Sequence, residues 1–350
     1  MSSVQQRWKL IVDFVRKQEV SDISLYDRNI TARLDGRIVR LSEEGALGQG
    51  DIQELISDLL SLSGGRVIEP GRPTRFADFT VTLFEKRFRV NVARARGELF
   101  ASLRPLPDGP FPAPAIGLTP QLLQRIAGLP HGLVLVTGPT GSGKTTTIAT
   151  LIEMINQSRQ VKVITIEDPI EFEFQAKQAE IIQREIGLDS PSYEACLRES
   201  LRQNPDVIVV GEIRDAETAI VALQAAETGH LVIGSLHADS VVESISRYLL
   251  LGPPERSAEM RYVLARTMRV IMNQRLLRRR SGGRVAIREI CLHAPKVEAV
   301  ILKGNEQELV SYMLSGRETG MIDFQSALKA MQSVIDPQEF LLHLRGESGG

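Results

Sequence analysis

Gly138-Pro139-Thr140-Gly141-Ser142-Gly143-Lys144-Thr145 matches the pattern GxxxxGK[ST] at every position. It follows the apolar run Leu133 to Thr137 and opens a helical stretch, Thr146 to Asn156. In that setting the glycines let backbone N–H groups converge on phosphate oxygens, and the helix N-terminus adds a favourable dipole. Lys144 then reaches β- and γ-phosphates, and the Thr145 hydroxyl ligates Mg²⁺. The expected nucleotide-binding set is Gly138, Pro139, Thr140, Gly141, Ser142, Gly143, Lys144, Thr145 and Thr146, with ATP and Mg²⁺ as the groups held.

Three later segments carry groups suited to phosphoryl transfer. Ile164 to Glu171 puts Glu167, Asp168 and Glu171 just past a strand end, where open parallel sheets bind ligands. Asn204 to Asp215 reads as a buried strand delivering Glu212 beside the phosphate loop, and Thr228 to Asp239 as a strand bracketed by His230 and His237. Singly, an acidic cluster caps helices and a strand-end histidine is a hydrogen-bonded structural residue. In this order behind a phosphate loop, they form a site for in-line attack of water on a γ-phosphate, which depends on positioning and charge neutralisation. Glu212 acts on the metal or its waters and Glu171 polarises the attacking water, or the two roles are exchanged. Glu167 and Asp168 are further metal-ligand candidates.

These segments need a scaffold. From Leu118 to Gly252, apolar β-branched runs at 133–137, 161–166, 207–210 and 231–235 alternate with helical stretches, the pattern of a parallel sheet covered on both faces. Beyond it, 255–277, 295–303, 306–314 and 323–334 read as helices. Ahead of it, residues 1–104 read as a small α+β module. It has a helical stripe (Trp8, Ile11, Val12, Phe14, Val15), strands around 22–26 and 30–34, and a hairpin turn at Asp35-Gly36. A helix over 51–62 stops at Gly64-Gly65, and strands follow at 79–83, 87–92 and 99–103. Between the two lies a run with Pro105, Pro107, Pro110, Pro112 and Pro114, read as an extended interdomain linker over 105–118. The fold class is α/β, with the ATPase domain over 119–345 and the last residues, Gly346 to Gly350, frayed.

Composition excludes several classes. Among 350 residues, 42 basic and 43 acidic side chains give a formal net charge of -1, which rules out a globally basic nucleic-acid coat. Two cysteines make neither a disulfide framework nor a zinc site and point to a reduced, cytoplasmic compartment. No apolar stretch approaches 18 residues, so membrane contact is expected only through a partner. The run Arg275 to Gly283 invites a nucleic-acid reading, but no aromatic residues interleave it, and an exposed helix end with a turn is preferred.

Taken together, the four segments resemble those of the secretion ATPase superfamily of type II secretion and type IV pili, where they are named Walker A, Asp box, Walker B and His box. The most specific match is Leu201-Arg202-Gln203-Asn204-Pro205-Asp206 running into Gly211-Glu212-Ile213-Arg214-Asp215, with Gly211 where a Walker B aspartate usually stands. The resemblance covers about 21–328. It implies a PAS-like N-terminal domain, a flexible linker and a RecA-like P-loop ATPase domain, assembled as a homohexamer. It also implies that His230 and His237 sense the γ-phosphate or couple its state to the sheet, and that Arg96 and Arg104 act on nucleotide in trans, with Arg89 and Arg94 as weaker candidates. The implied partners are an inner-membrane pilus platform protein and a sister motor ATPase, with no nucleic acid; the implied location is cytoplasmic, at the inner membrane. Size and the absence of a four-cysteine insertion resemble the pilus-retraction branch. Two departures stand against it. Glu298 and Leu302 occupy arginine positions of that branch's C-terminal helix, and Asn273-Gln274-Arg275-Leu276 is closer to the secretion and extension branch. Assembly or secretion is the runner-up; a DNA-translocating ATPase and a non-hydrolysing ring subunit are alternatives of other classes.

Overall fold

A computed structural model describes residues 2–34, 37–41, 48–63, 76–316 and 320–344. The expected turn at Asp35-Gly36, the stop at Gly64-Gly65 and the terminal Gly346 to Gly350 lie outside the described residues. The chain divides into two compact units: unit 1 takes 1–109 together with 169–173, and unit 2 takes 110–168 and 174–350.

Unit 1 opens with α1 (Ser3–Lys17), started by a capping box in which Ser2 accepts from the Gln5 amide and Gln5 accepts from the Ser2 amide. Its stripe of Val4, Trp8, Ile11, Val12 and Val15 is buried. Strands β1 (Val20–Tyr26), β2 (Asn29–Leu34) and β3 (Arg37–Arg40) precede α2 (Gln49–Ser61), and β4 (Phe76–Leu83), β5 (Lys86–Ala95) and β6 (Glu98–Pro105) follow it. They form one antiparallel sheet in the order β3-β2-β1-β6-β5-β4. Apolar residues of both helices share a core with alternate strand positions such as Ile23, Leu25, Phe88 and Val90. The Trp8 ring is buried in it, while its N–H donates to Asp58 Oδ2 at 2.8 Å.

Of the expected 105–118 linker, Pro105 is still strand, and the Leu106 amide bonds to the Arg87 carbonyl. At the other end, Ala113 and Leu118 belong to the core of unit 2. The division falls inside the proline run, between Gly109 and Pro110.

Unit 2 comprises α3 (Pro120–Ala127), β7 (Gly132–Thr137), α4 (Lys144–Ser158), β8 (Lys162–Glu167), β9 (Glu180–Glu185) and α5 (Tyr193–Ser200). It continues with β10 (Val207–Val210), α6 (Ala216–Glu227), β11 (Leu231–Leu236), α7 (Val241–Leu251), α8 (Ser257–Thr267), β12 (Met268–Arg278) and β13 (Arg284–Leu292). Four short helices close it: α9 (Pro295–Lys303), α10 (Leu309–Ser315), α11 (Phe324–Ala330) and α12 (Pro337–Leu344). The sheet order is β13-β12-β7-β11-β10-β8-β9, parallel except for β13. β7, β10 and β11 are buried along their whole length, as a doubly covered parallel sheet requires. Cys196 and Cys291 are free thiols sealed in this core. Among the described residues, no helix is long and apolar enough to cross a membrane.

The helix expected over 255–277 ends at Thr267; from Met268 the chain is a strand beside β7. The β-branched Val270 and Ile271 gain a ladder partner and burial there, which outweighs the helical pattern running in from α8. The arginine run is therefore a strand end and a hairpin turn, made by Gly282 and Gly283 at φ 87° and 72°, rather than a helix end. β9, β13 and α12 are additional elements. The structure predicts that Trp8→Ala weakens unit 1 by about 3–5 kcal/mol through cavity formation, read as its urea transition by far-ultraviolet circular dichroism; a change below about 1 kcal/mol would contradict the packing described.

Candidate active site

The site begins where β7 ends. Gly138 sits at φ 147°, and a Cβ there would stand 2.3 Å from the Gln274 carbonyl oxygen and 2.6 Å from Ser142 Oγ, so only glycine fits. Gly143, at φ 85°, starts α4 without a side chain over the first amides, which leaves them free to meet an anion. Lys144 Nζ donates to the carbonyls of Gly138 (2.8 Å) and Pro139 (3.0 Å), bracing the loop from inside.

β12 supplies the support. Gln274 donates to the Ser142 carbonyl at 2.6 Å, and its Oε1 accepts from Thr147 Oγ1 at 2.8 Å and Arg288 Nε at 3.3 Å. Asn273 donates to Thr137 Oγ1 at 3.0 Å and to the Ala238 carbonyl at 2.8 Å. The dipeptide that marked a branch resemblance in the sequence is thus a buried polar brace. Thr147 and Arg288 gave no sequence signal, and the bracing role of Gln274 gave none either, because the partners lie more than a hundred residues away or across a hairpin.

Glu212 follows β10. It pairs with Arg214, and its Oε1 lies 3.2 Å from His237 Nε2. Burial pushes its carboxyl up, but the hydrogen bond and charge of Arg214, together with His237 and Lys144, outweigh burial and hold it below the usual range. Burial draws the Lys144 ammonium down, against the attraction of Glu212. Lys144, Glu212, Arg214 and His237 therefore form one electrostatic group at the carboxyl ends of β7, β10 and β11. Gly211 precedes it because a Cβ would crowd the Ile166 carbonyl at 3.0 Å and the Tyr193 hydroxyl at 3.3 Å. Burial and the Asp168 carboxylate push the Tyr193 hydroxyl well above its ordinary pKa.

The remaining candidates divide. Glu167 accepts from Thr165 Oγ1 at 2.7 Å and Gln183 Nε2 at 3.1 Å, so it is already engaged in the sheet edge. Asp168 and Thr145 are exposed. With Glu212 they are hard oxygen donors, the set a small cation takes alongside phosphate and water oxygens, and they fit Mg²⁺. Glu171 belongs to unit 1, where its carboxylate lies 3.4 Å from Arg89 Nη1 and Arg87 donates to the Ile170 and Glu171 carbonyls at 2.8 Å each. Arg96 is exposed in the β5–β6 turn at φ 53°, and Arg104 is a β6 residue 3.3 Å from Asp22.

His230 stands at the other end of β11 from His237, away from the phosphate loop. It precedes β11 at the edge where β7 starts, and its carbonyl accepts from the Gly132 amide at 3.0 Å. A strand rise of about 3.3 Å per residue puts it roughly 20 Å from the phosphate-loop end of the sheet. Its ring instead meets the Ala225 carbonyl at 3.0 Å. Contact with a γ-phosphate in the same unit is excluded by that placement.

Beside α4, a cavity of about 220 Å³ is lined by Phe111, Ile116, Thr146, Leu276, Arg279 and Arg284, among others. It has apolar walls with basic groups, and it adjoins the loop.

A titration follows from the charge arrangement. Burial and Lys144 draw the His237 ring below the ordinary imidazole value of 6.5, against Glu212. Its folded pKa is depressed, so its contribution to stability is present above pH 6.5 and is lost as pH falls through the folded pKa. Proton NMR of the nucleotide-free protein should place the ring's midpoint below 6.5; a raised midpoint would mean that Lys144 does not face it.

The family description "Type II/IV secretion system protein" matches residues 115–282. The type IV pilus retraction ATPase PilT of Pseudomonas aeruginosa is 35% identical over 92% of this chain and 92% of its own. A twitching motility protein of Neisseria gonorrhoeae is 38% identical over 72% of this chain and 68% of its own. The crystal structure of the pilus retraction motor PilT with bound ADP superposes with a TM-score of 0.84 at 33% identity, covering 100% of this chain and 98% of that one. The order and spacing of the four segments, the sheet they sit on and these likenesses agree: the chain belongs to the type II/IV secretion ATPase family.

Proposed function

We propose that the protein is a Mg²⁺-dependent ATPase that powers retraction of a type IV pilus. The observation that carries the reading is the group of Lys144, Glu212 and His237 at the mouth of a glycine-constrained phosphate loop. Its alignment with a retraction ATPase over nine-tenths of both chains supports the direction of work.

In this reading, loop amides between Thr140 and Thr146 and the Lys144 ammonium hold the triphosphate. Bound Mg²⁺ would neutralise phosphate charge, with Thr145 as its direct protein ligand and Glu212 and Asp168 taking its waters. Glu212, kept ionised chiefly by Arg214, orients charge on the γ-phosphate side. Glu171 polarises the attacking water, which requires its release from Arg89. Arg96 and Arg104 lie in unit 1 and are offered as charges that complete the site in a homohexamer. Work at the inner membrane then passes through a platform protein, since the described helices do not cross a bilayer.

Assembly or secretion is a second reading, favoured by α9. There Glu298 turns to His293 at 3.3 Å, and Leu302 is exposed, where the retraction branch carries arginines.

Lys144→Ala should abolish ATP turnover, at least a hundredfold, with an unchanged fold, because it removes a ligand-facing cation and no core volume. Wild-type turnover in that variant would remove the phosphate-loop reading. Deleting the gene separates the directions: abundant surface pili without twitching motility are expected for retraction, whereas loss of pili would promote assembly.

A further inference from the structure

Arg288 is 6% exposed, on β13 beneath the phosphate loop, yet among the described residues no carboxylate pairs with it. Its three contacts are all neutral. Nη1 donates to the Ile116 carbonyl at 2.7 Å, Nε to Gln274 Oε1 at 3.3 Å, and Nη2 reaches Thr147 Oγ1 at 3.4 Å. The adjacent Glu289 points to the other face of the strand and accepts from the Val241 amide. Burial alone draws the Arg288 guanidinium down to about 10, with no opposing charge to hold it up.

A buried cation without an anion is unfavourable, and natural cores normally pair one or replace it with an apolar side chain. Arg288 also lines the cavity that runs along Gly143 and Thr146. It touches three pieces that bound that cavity: the turn at 113–116 where the chain joins unit 2, the first turns of α4, and β12 through Gln274. Gln274 in turn holds the Ser142 carbonyl of the phosphate loop.

The geometry points to Arg288 as a positioning residue whose missing counter-charge is the nucleotide itself, so that an anion in the cavity offsets its burial and tightens the brace around the phosphate loop. This rests on the ATPase reading above. The guanidinium is set below the loop and is shielded from solvent, so salt screens it little. It acts through the Ile116 turn, Thr147 and Gln274 and has no part in the chemical step. Two consequences differ from those of an ordinary structural clasp. The nucleotide-free protein gains little from the charge, and the nucleotide-bound protein gains much.

The test uses the full chain, Mg-ADP as the probe, and the variants Arg288→Met and Arg288→Lys. In Arg288→Met, the thermal midpoint without nucleotide should equal or exceed that of the wild type. ADP affinity by calorimetry should fall about tenfold or more, the factor one charge-assisted interaction supplies. In steady state, KM for ATP should rise while kcat changes by less than about threefold. Arg288→Lys should recover most of the affinity. A Met variant that is destabilised without nucleotide but binds ADP normally would overturn the proposal and leave a purely structural clasp. Should that variant not fold, arginine-labelled wild-type protein decides: the Arg288 Nε–H resonance, assigned by its loss in Arg288→Lys, must move on adding Mg-ADP, and an unmoved resonance overturns the proposal. Absence of ADP binding by the wild type overturns both readings, whereas wild-type binding with unchanged affinity in Arg288→Met overturns this one alone.

Discussion

β12 passes so close to the end of β7 that the Gln274 carbonyl occupies the place where a Cβ of residue 138 would stand. Much of unit 2 depends on that approach. It fixes β12 as the neighbour of the strand that carries the phosphate loop, and strand alternation then sends Asn273 and Gln274 to opposite faces. Asn273 holds Thr137 and the loop after β11, and Gln274 holds Ser142 and Thr147. Two adjacent amides thereby tie together loops that lie far apart in the sequence, at Ser142 and Ala238. Buried amides are costly unless bonded, so the brace favours one arrangement strongly. The hairpin β12–β13 also carries a satellite core of Leu277, Val285 and Ile287 with Leu328, Ile335 and Phe340, so α11 and α12 are seated by the same strand.

The charges at the site are arranged in mutual compensation. Lys144 spends its donors on its own loop, and its charge is felt by Glu212 and His237. Arg214 neutralises Glu212 from the exposed side, which keeps the carboxylate ionised despite burial. The ring of His237 is consequently neutral near pH 7, an acceptor or donor as its tautomer allows rather than a second cation. A triphosphate arriving at this group meets an ammonium and a guanidinium set against one carboxylate, an excess of positive charge that favours it.

Legibility in the sequence followed the range of the interactions. The phosphate loop, its strand and its helix were readable because their constraints lie within twenty residues: glycines at positive φ, an apolar strand before and a helix after. Glu212 and His237 were readable for the same reason. The hairpin at 268–292 was not, since α8 runs into β12 at Thr267 and Met268 without a glycine or proline between them. Pairing with β7 decided it. The two histidines of one segment look equivalent as letters, but a six-residue strand puts them at its opposite ends. The proline run read as a linker is shared between the two units, because Leu106, Ala113 and Leu118 are anchored by partners far along the chain. Arg288 shows the limit: one arginine in a strand says nothing until its neighbours are known to be neutral.

The placement of three uncommon side chains gives the protein its own internal reporters. The single tryptophan, Trp8, lies in the core of unit 1, and both thiols lie in the core of unit 2. Burial pushes the Cys291 thiol up to about 12 and raises Cys196 as well, so neither offers a thiolate to a labelling reagent while its core is closed. Indole fluorescence thus follows one unit and reactivity toward a thiol reagent the other, with no residue replaced. The order in which the two cores open under denaturant, and whether nucleotide protects the second without the first, can be read from the unmodified chain.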